Sequence, residues 1–289
     1  MSSFKYASII FFVFLTLGCK SKSDSESVQI GPQSIQQKTI IKIAQLKEKG
    51  YDITDYHSHL KGGLTMEELL EHSKKTGIGY GVAFNAGVGF PITNDSTLLA
   101  NYEQYKDYPV YMAMQAEGRE WVDMFSKENI KTFDYVFTDA MTWTDKKGRR
   151  MRLWMPEEVF VDDKDDFMDQ LVDQIIGVMN NEPIDIYVNS TFLPDVLQPE
   201  YDGLWTEERM DKVIKAAANN NIAIEINSRY KIPSATFIKR AKESGVKFSM
   251  GTNNTDKDLG TLTYAIEMIE VCGLEPDDFF KPTQKLKNK

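Results

Sequence analysis

Tyr51-Asp-Ile-Thr-Asp-Tyr-His57-Ser-His59 is a strand-like run that ends in two histidines one residue apart, in a chain with only three histidines among 289 residues. On a strand, residues i and i+2 face the same way, so both imidazoles can reach one metal ion or one anionic group. Gly62-Gly63 then turns the chain into Thr65-Met-Glu-Glu68-Leu-Leu. Thr65 and Glu68 stand at the spacing of a capping box, which opens a helix. The order is strand, polar loop, helix, with the histidines at the strand's carboxyl end. Barrels and open α/β sheets carry their chemistry at that end.

From residue 40 onward, apolar runs of period two alternate with segments of helical period. The pattern predicts strands near 52–57, 80–85, 110–116, 134–141, 184–189, 222–227 and 246–251. It predicts helices over about 65–76, 95–106, 119–131, 165–180, 207–220, 234–244 and 259–272. Residues 142–154 read as a hairpin inserted into the fourth unit. Successive β/α units predict a parallel sheet. The absence of a charge-blunted edge strand favours closure into a barrel. Residues 38–289 contain no Pro/Gly/Ser-rich linker and form one expected domain.

Ahead of that domain lie Lys5, an apolar run from Ala7 to Leu17, and Gly18-Cys19. A run this short is a secretory segment and not a membrane span. Leu15-Thr-Leu-Gly-Cys19 resembles a bacterial lipoprotein cleavage box. Residues 1–18 are therefore expected to be a signal peptide, Cys19 the lipid-bearing terminus, and the polar residues 19–37 a flexible tether. The expected location is the bacterial cell envelope, facing the periplasm or the cell surface, held to the membrane by the lipid alone. Cys272 is the only other cysteine, so no disulfide is available. The net charge of −9, with basic residues scattered among acids, excludes a nucleic-acid partner. The one basic cluster, Lys146-Lys-Gly-Arg-Arg-Met-Arg152, reads as a solvated hairpin tip. A small molecule is the expected partner, and nothing in the sequence bears on oligomeric state.

Aligning the carboxyl ends of the seven strands brings together Asp55, His57 and His59, then Asn85, Glu117 and Arg119, then Asp139 and Asn189. The last two strands add Glu225, Asn227, Arg229, Asn253, Asn254 and Asp256. A rim this polar is costly unless it binds something or stays wet.

These motifs resemble the polymerase and histidinol phosphatase (PHP) superfamily, whose members are distorted seven-stranded barrels holding up to three divalent metals for phosphoester hydrolysis. Asp55-Tyr-His57-Ser-His59 is similar to the family's opening His-x-His, and Gln115-Ala-Glu117-Gly to its Gly-x-Glu segment. Glu225-Ile-Asn227, Pro233, Phe237–Gly245 and Lys247–Gly251 resemble the last two barrel units. The likeness spans residues 51–280 and implies a distorted TIM-like (β/α)7 barrel of the PHP type. The departures are as informative. Phe84-Asn85-Ala86 replaces the family's Thr-Asp-His, Met141 and Asn189 fall where histidines belong, and Gly251-Thr-Asn253-Asn254-Thr255 lacks the terminal Asp and His.

The resemblance leaves His57, His59 and Glu117 as ligands for one divalent metal, Zn, Mn or Fe. Asp139 or Asp55 would supply a fourth ligand or the base, and Arg119 and Arg229 would hold an anionic substrate. Asn189, Asn227, Asn253 and Asn254 complete the expected substrate contacts. The implied activity is metal-dependent hydrolysis of a phosphoester or related small substrate. The alternative is a catalytically inactive barrel whose Asn-rich rim binds a sugar or other polar ligand, since Asn donates and accepts hydrogen bonds but holds divalent metals poorly. His72, in mid-helix, reads as a surface residue. The tryptophans at 121, 143, 154 and 205 read either as mouth-lining or as packing under long loops.

Overall fold

Strands and helices alternate as the periodicities predict. The computed structural model describes residues 32–282. The leader, Cys19 and the first part of the tether lie outside the described residues. In order come α1 (Pro32–Glu48), β1 (Thr54–Ser58), α2 (Met66–Thr76), β2 (Gly79–Gly87), α3 (Asp95–Tyr105) and β3 (Tyr111–Glu117). Two single-turn helices, α4 (Trp121–Met124) and α5 (Lys127–Ile130), precede β4 (Tyr135–Thr138). The inserted hairpin is β5 (Thr142–Thr144) and β6 (Arg150–Arg152), followed by α6 (Lys164–Asn181), β7 (Ile186–Tyr187), α7 (Tyr201–Leu204) and α8 (Glu207–Asn220). Then come β8 (Ala223–Asn227), α9 (Ala235–Glu243), β9 (Phe248–Gly251) and α10 (Thr263–Val271).

Seven parallel strands close in the order β1-β2-β3-β4-β7-β8-β9, with β9 returning to β1 through Met250 and Asp55. This is a closed, TIM-like (β/α)7 barrel, as the sequence pattern leads one to expect. β5 and β6 pair only with each other, antiparallel, as the hairpin reading predicts. Two expectations need correction. Residues 32–37, assigned to the tether, begin α1, which lies against α10 and reaches it through the Lys42–Glu270 ion pair. The helix expected over 119–131 is broken into α4 and α5, because Phe125 between them is extended.

Inside the barrel, Tyr56, Tyr111, Tyr135 and Phe137 pack with Ala83, Ala113 and Ile186 into an aromatic plug that Phe280 caps. The Tyr135 hydroxyl donates to the Tyr56 carbonyl at 2.7 Å. Gly81 leaves room for it, since a Cβ there would sit 1.9 Å from that hydroxyl. The plug fills one half of the barrel and makes Phe137 the floor beneath His57, with ring centroids 4.6 Å apart. A larger apolar layer lies between the strands and the outer helices.

Local signals read from the sequence are realised. Thr65 and Glu68 form the reciprocal capping box of α2. His72 is not a free surface residue: its Nδ1 lies 2.7 Å from the Tyr80 hydroxyl of β2. The basic hairpin tip is tied down by acids. Arg149 pairs with Asp145 and Asp162, Lys146 with Asp166 and Arg152 with Glu158.

Candidate functional site

His57 and His59 leave β1 on the same face with ring centroids 5.2 Å apart, and both are buried. His59 Nδ1 donates to the Ala83 carbonyl at 3.0 Å. A carbonyl can only accept, so this bond fixes the tautomer and leaves Nε2 as a bare lone pair. Burial, reinforced by the charges of His57 and Lys61, holds the His59 pKa well below the ordinary value, which keeps the ring neutral. His57 Nδ1 lies 2.7 Å from Glu225 Oε1. The other Glu225 oxygen accepts from the Asn189 amide at 2.8 Å and from Asn227 Nδ2 at 3.0 Å. Neither imidazole Nε2 has a hydrogen-bond partner, although both are buried.

Beside this pair a cavity of about 220 Å³ opens at the carboxyl end of the barrel. Its polar wall is Lys61, Gln115, Glu117, Asp139, Asn189 and Arg229, and Asn85 and Asn253 complete the rim. Glu117 accepts from Asn85 Nδ2 at 2.6 Å. Burial first, and the charge of Asp139 second, push the Glu117 pKa up to about 8, against the opposing pull of the Asn85 hydrogen bond and of Lys61. Asp139 is also raised by burial, although it accepts from the Met141 amide and from Asn189 Nδ2. Two carboxyl groups so placed cannot both ionise cheaply, so the pair retains a proton near neutral pH. Burial lowers the Lys61 pKa, and the nearby Glu117 partly restores it. A larger cavity, about 420 Å³, adjoins the first and shares Arg229 and Thr255 with it.

The metal centre expected at His57, His59 and Glu117 is not assembled. Among the described residues no three His, Cys, Asp or Glu side chains come together in a way that could hold a metal ion. The imidazoles have the bare nitrogens and oriented rings of metal ligands. The carboxylate that should complete them is instead held by Asn85 and faces Asp139 and Lys61. A three-ligand metal site therefore does not fit this donor set.

Other expected site residues are placed as follows. Asp55 is not among the residues that line the cavity: it is fully buried and takes hydrogen bonds from the His57 amide and from the amide and hydroxyl of Thr252, stitching β1 to the end of β9. Arg119 does not face the cavity, because its guanidinium binds Glu182 at 2.7 Å, Thr138 Oγ1 at 2.9 Å and the Asp139 carbonyl at 2.8 Å. Asn254 clamps the backbone of His59 from both sides, accepting from its amide and donating to its carbonyl. Asn227 is fully buried and spends its amide on Glu225, Asn189 and the Tyr230 backbone. Asp139, Asn189, Arg229 and Asn253 do line the cavity. Arg229 is exposed, donates to the Asn253 carbonyl at 3.0 Å and lies over the Tyr230 ring at 5.3 Å.

Lys61 and Gln115 were not foreseen as site residues. The signal for Lys61 was its place two residues past His59, which continues the i, i+2 spacing out of the strand. Gln115 stands two residues before Glu117 on β3, at the same period. Glu225 stood among the polar strand ends but had no assigned role; its position two residues before Asn227 on β8 puts both on one face.

No family model and no curated protein matches the sequence. Solved structures do. The zinc-, L-histidinol- and phosphate-bound histidinol phosphate phosphatase of Lactococcus lactis subsp. lactis is similar at 14% identity with a TM-score of 0.53, covering 78% of this chain and 95% of that one. An uncharacterized TIM-barrel protein of Bordetella bronchiseptica is similar at 13% identity with a TM-score of 0.40, covering 84% of this chain and 87% of that one. At 14% identity the likeness to the Lactococcus enzyme establishes the fold, a (β/α)7 barrel, and nothing finer.

Proposed function

We propose that the barrel mouth binds a small polar molecule carrying an anionic group, of the phosphate-monoester kind, without a three-ligand metal. The observation that carries this reading is a cavity walled by two cations, Lys61 and Arg229, opposite the proton-retaining Glu117 and Asp139. Lys61 and Arg229 take the anion through charge-assisted hydrogen bonds. Protonated Glu117 offers a donor at the base of the same cavity, and Asp139 accepts. The phosphate found with the Lactococcus phosphatase is of the same chemical class.

A second reading, hydrolysis dependent on one divalent metal, is favoured by the bare Nε2 atoms of His57 and His59. Calorimetric titration with glycerol 3-phosphate and with glycerol, alongside metal analysis of protein purified without chelator, separates the two. The first reading expects glycerol 3-phosphate to bind and glycerol not to. It expects Lys61→Met and Arg229→Ala each to weaken that binding by about tenfold to a hundredfold. One metal per chain, lost from the His57→Ala/His59→Ala variant, would replace it with the second. The same proposal includes export and lipid attachment through Cys19, supported by the Leu15–Cys19 pattern.

A further inference from the structure

Trp154 is the one tryptophan of four that the fold leaves open: it is 41% exposed, whereas Trp121, Trp143 and Trp205 are at most 3% exposed. It lines the mouth cavity. The segment that carries it is firmly held. Trp143 of β5 packs on Phe167 of α6 at 5.7 Å, Met151 of β6 is fully buried, and the Leu153 amide donates to the Met141 carbonyl at 2.8 Å. Arg152 closes the far side through Glu158. An indole held in place yet exposed over a polar cavity gains nothing from the core, so its face is available to a ligand.

A second, independent observation lies inside the same cavity. Gln115 is 7% exposed, and its Oε1 has no hydrogen-bond partner. A buried amide oxygen left alone costs free energy that a ligand hydroxyl would recover. Asp139 and Glu117 present further oxygens to the same space. The cavity thus offers the exposed Trp154 face, beside the Phe90 and Tyr230 rings, and several acceptors, with cations at Lys61 and Arg229.

We infer that the ligand is a cyclic polyol bearing the anionic group, a sugar phosphate in its ring form, with the ring's C–H face on Trp154 and a hydroxyl donated to Gln115. This rests on the anion-binding reading above and narrows it to a substrate class. Trp154 and Gln115 are then specificity residues, and Lys61 and Arg229 hold the charge.

Three probes separate the contributions: glucose 6-phosphate, glycerol 3-phosphate and phenyl phosphate, titrated by calorimetry and by protection of tryptophan fluorescence from acrylamide. Glucose 6-phosphate should bind about tenfold tighter than glycerol 3-phosphate and shield the exposed tryptophan. Trp154→Ala should erase that preference, and Trp154→Phe should restore most of it. Gln115→Leu removes an amide whose oxygen has no partner, so its unfolding temperature should stay close to the wild type's. It should weaken glucose 6-phosphate and leave phenyl phosphate unchanged. Equal binding of glycerol 3-phosphate and glucose 6-phosphate, still dependent on Arg229, overturns the ring assignment and leaves the anion site standing. Phenyl phosphate binding as tightly as glucose 6-phosphate overturns the polyol. Failure of every phosphate to bind the wild type overturns both readings.

Discussion

Glycine at position 251 is dictated by two side chains from the strands that flank it, β8 and β1. A Cβ there would lie 2.0 Å from Glu225 Oε1 and 2.8 Å from His57 Cβ, so alanine must displace the carboxylate that orients His57. Gly251→Ala is expected to cost about 1–3 kcal/mol in urea denaturation; wild-type stability would show that Glu225 moves aside freely. At Glu117 the lever is pH. Its pKa rises from 4.5 to about 8 on folding. Between those values the folded protein keeps a proton that the unfolded chain has released, so stability falls as pH rises through this window and levels off above it. Glu117→Gln should flatten that fall, and an unchanged pH profile of the midpoint would count against a buried, proton-holding Glu117. The residue scale also shows why the Asn-rich rim was only half legible. Asn189 and Asn253 have φ of 50° and 46°, a left-handed conformation that Asn tolerates better than most residues. Their presence where the resemblance would place metal ligands is thus explained by the turn as well as by any ligand. The sequence showed the amides but not the backbone that requires them.

Elements were more legible than the contacts between them. The β/α alternation and the α2 capping box depend on neighbours within a few residues, so periodicity and spacing reveal them. The α1 helix was missed because only two of its described apolar residues, Ile43 and Leu46, are buried, and they follow a polar stretch; packing against α10 supplies what local pattern lacks. Arg119 was misread for a related reason. Its position just past β3 is shared by mouth-facing residues, and only tertiary structure reveals Glu182, at the end of α6, as its partner. Arg119 joins the Thr138 hydroxyl of β4 to that carboxylate, which Trp121 Nε1 also binds at 2.6 Å. Arg119→Ala leaves a mostly buried Glu182 without its cation. The expected loss is about 2–4 kcal/mol of stability, with glycerol 3-phosphate affinity per folded molecule unchanged. A stable variant that had lost affinity would return Arg119 to the binding site.

At the scale of the whole molecule, the start of α1 and the mouth lie on the same side. Gln36 lines the larger cavity together with Arg229 and Asp256, and Arg229 also lines the mouth. Only residues 20–31 separate Cys19 from Pro32, a stretch that spans at most about 40 Å when fully extended. A lipid on Cys19 would therefore hold the start of α1 within that distance of the membrane surface, with the mouth on the same side, where a small ligand reaches it from the surrounding fluid. No described helix is long and apolar enough to cross a membrane, so attachment should depend on the lipid alone. Cys19→Ser, expressed with its leader in a bacterium that processes lipoproteins, should move the protein from the membrane pellet to the soluble fraction. Its glycerol 3-phosphate affinity should match that of the anchored form, because the barrel's own contacts are untouched. A Cys19→Ser variant that stays in the pellet after a high-salt wash would show that another part of the chain holds the membrane.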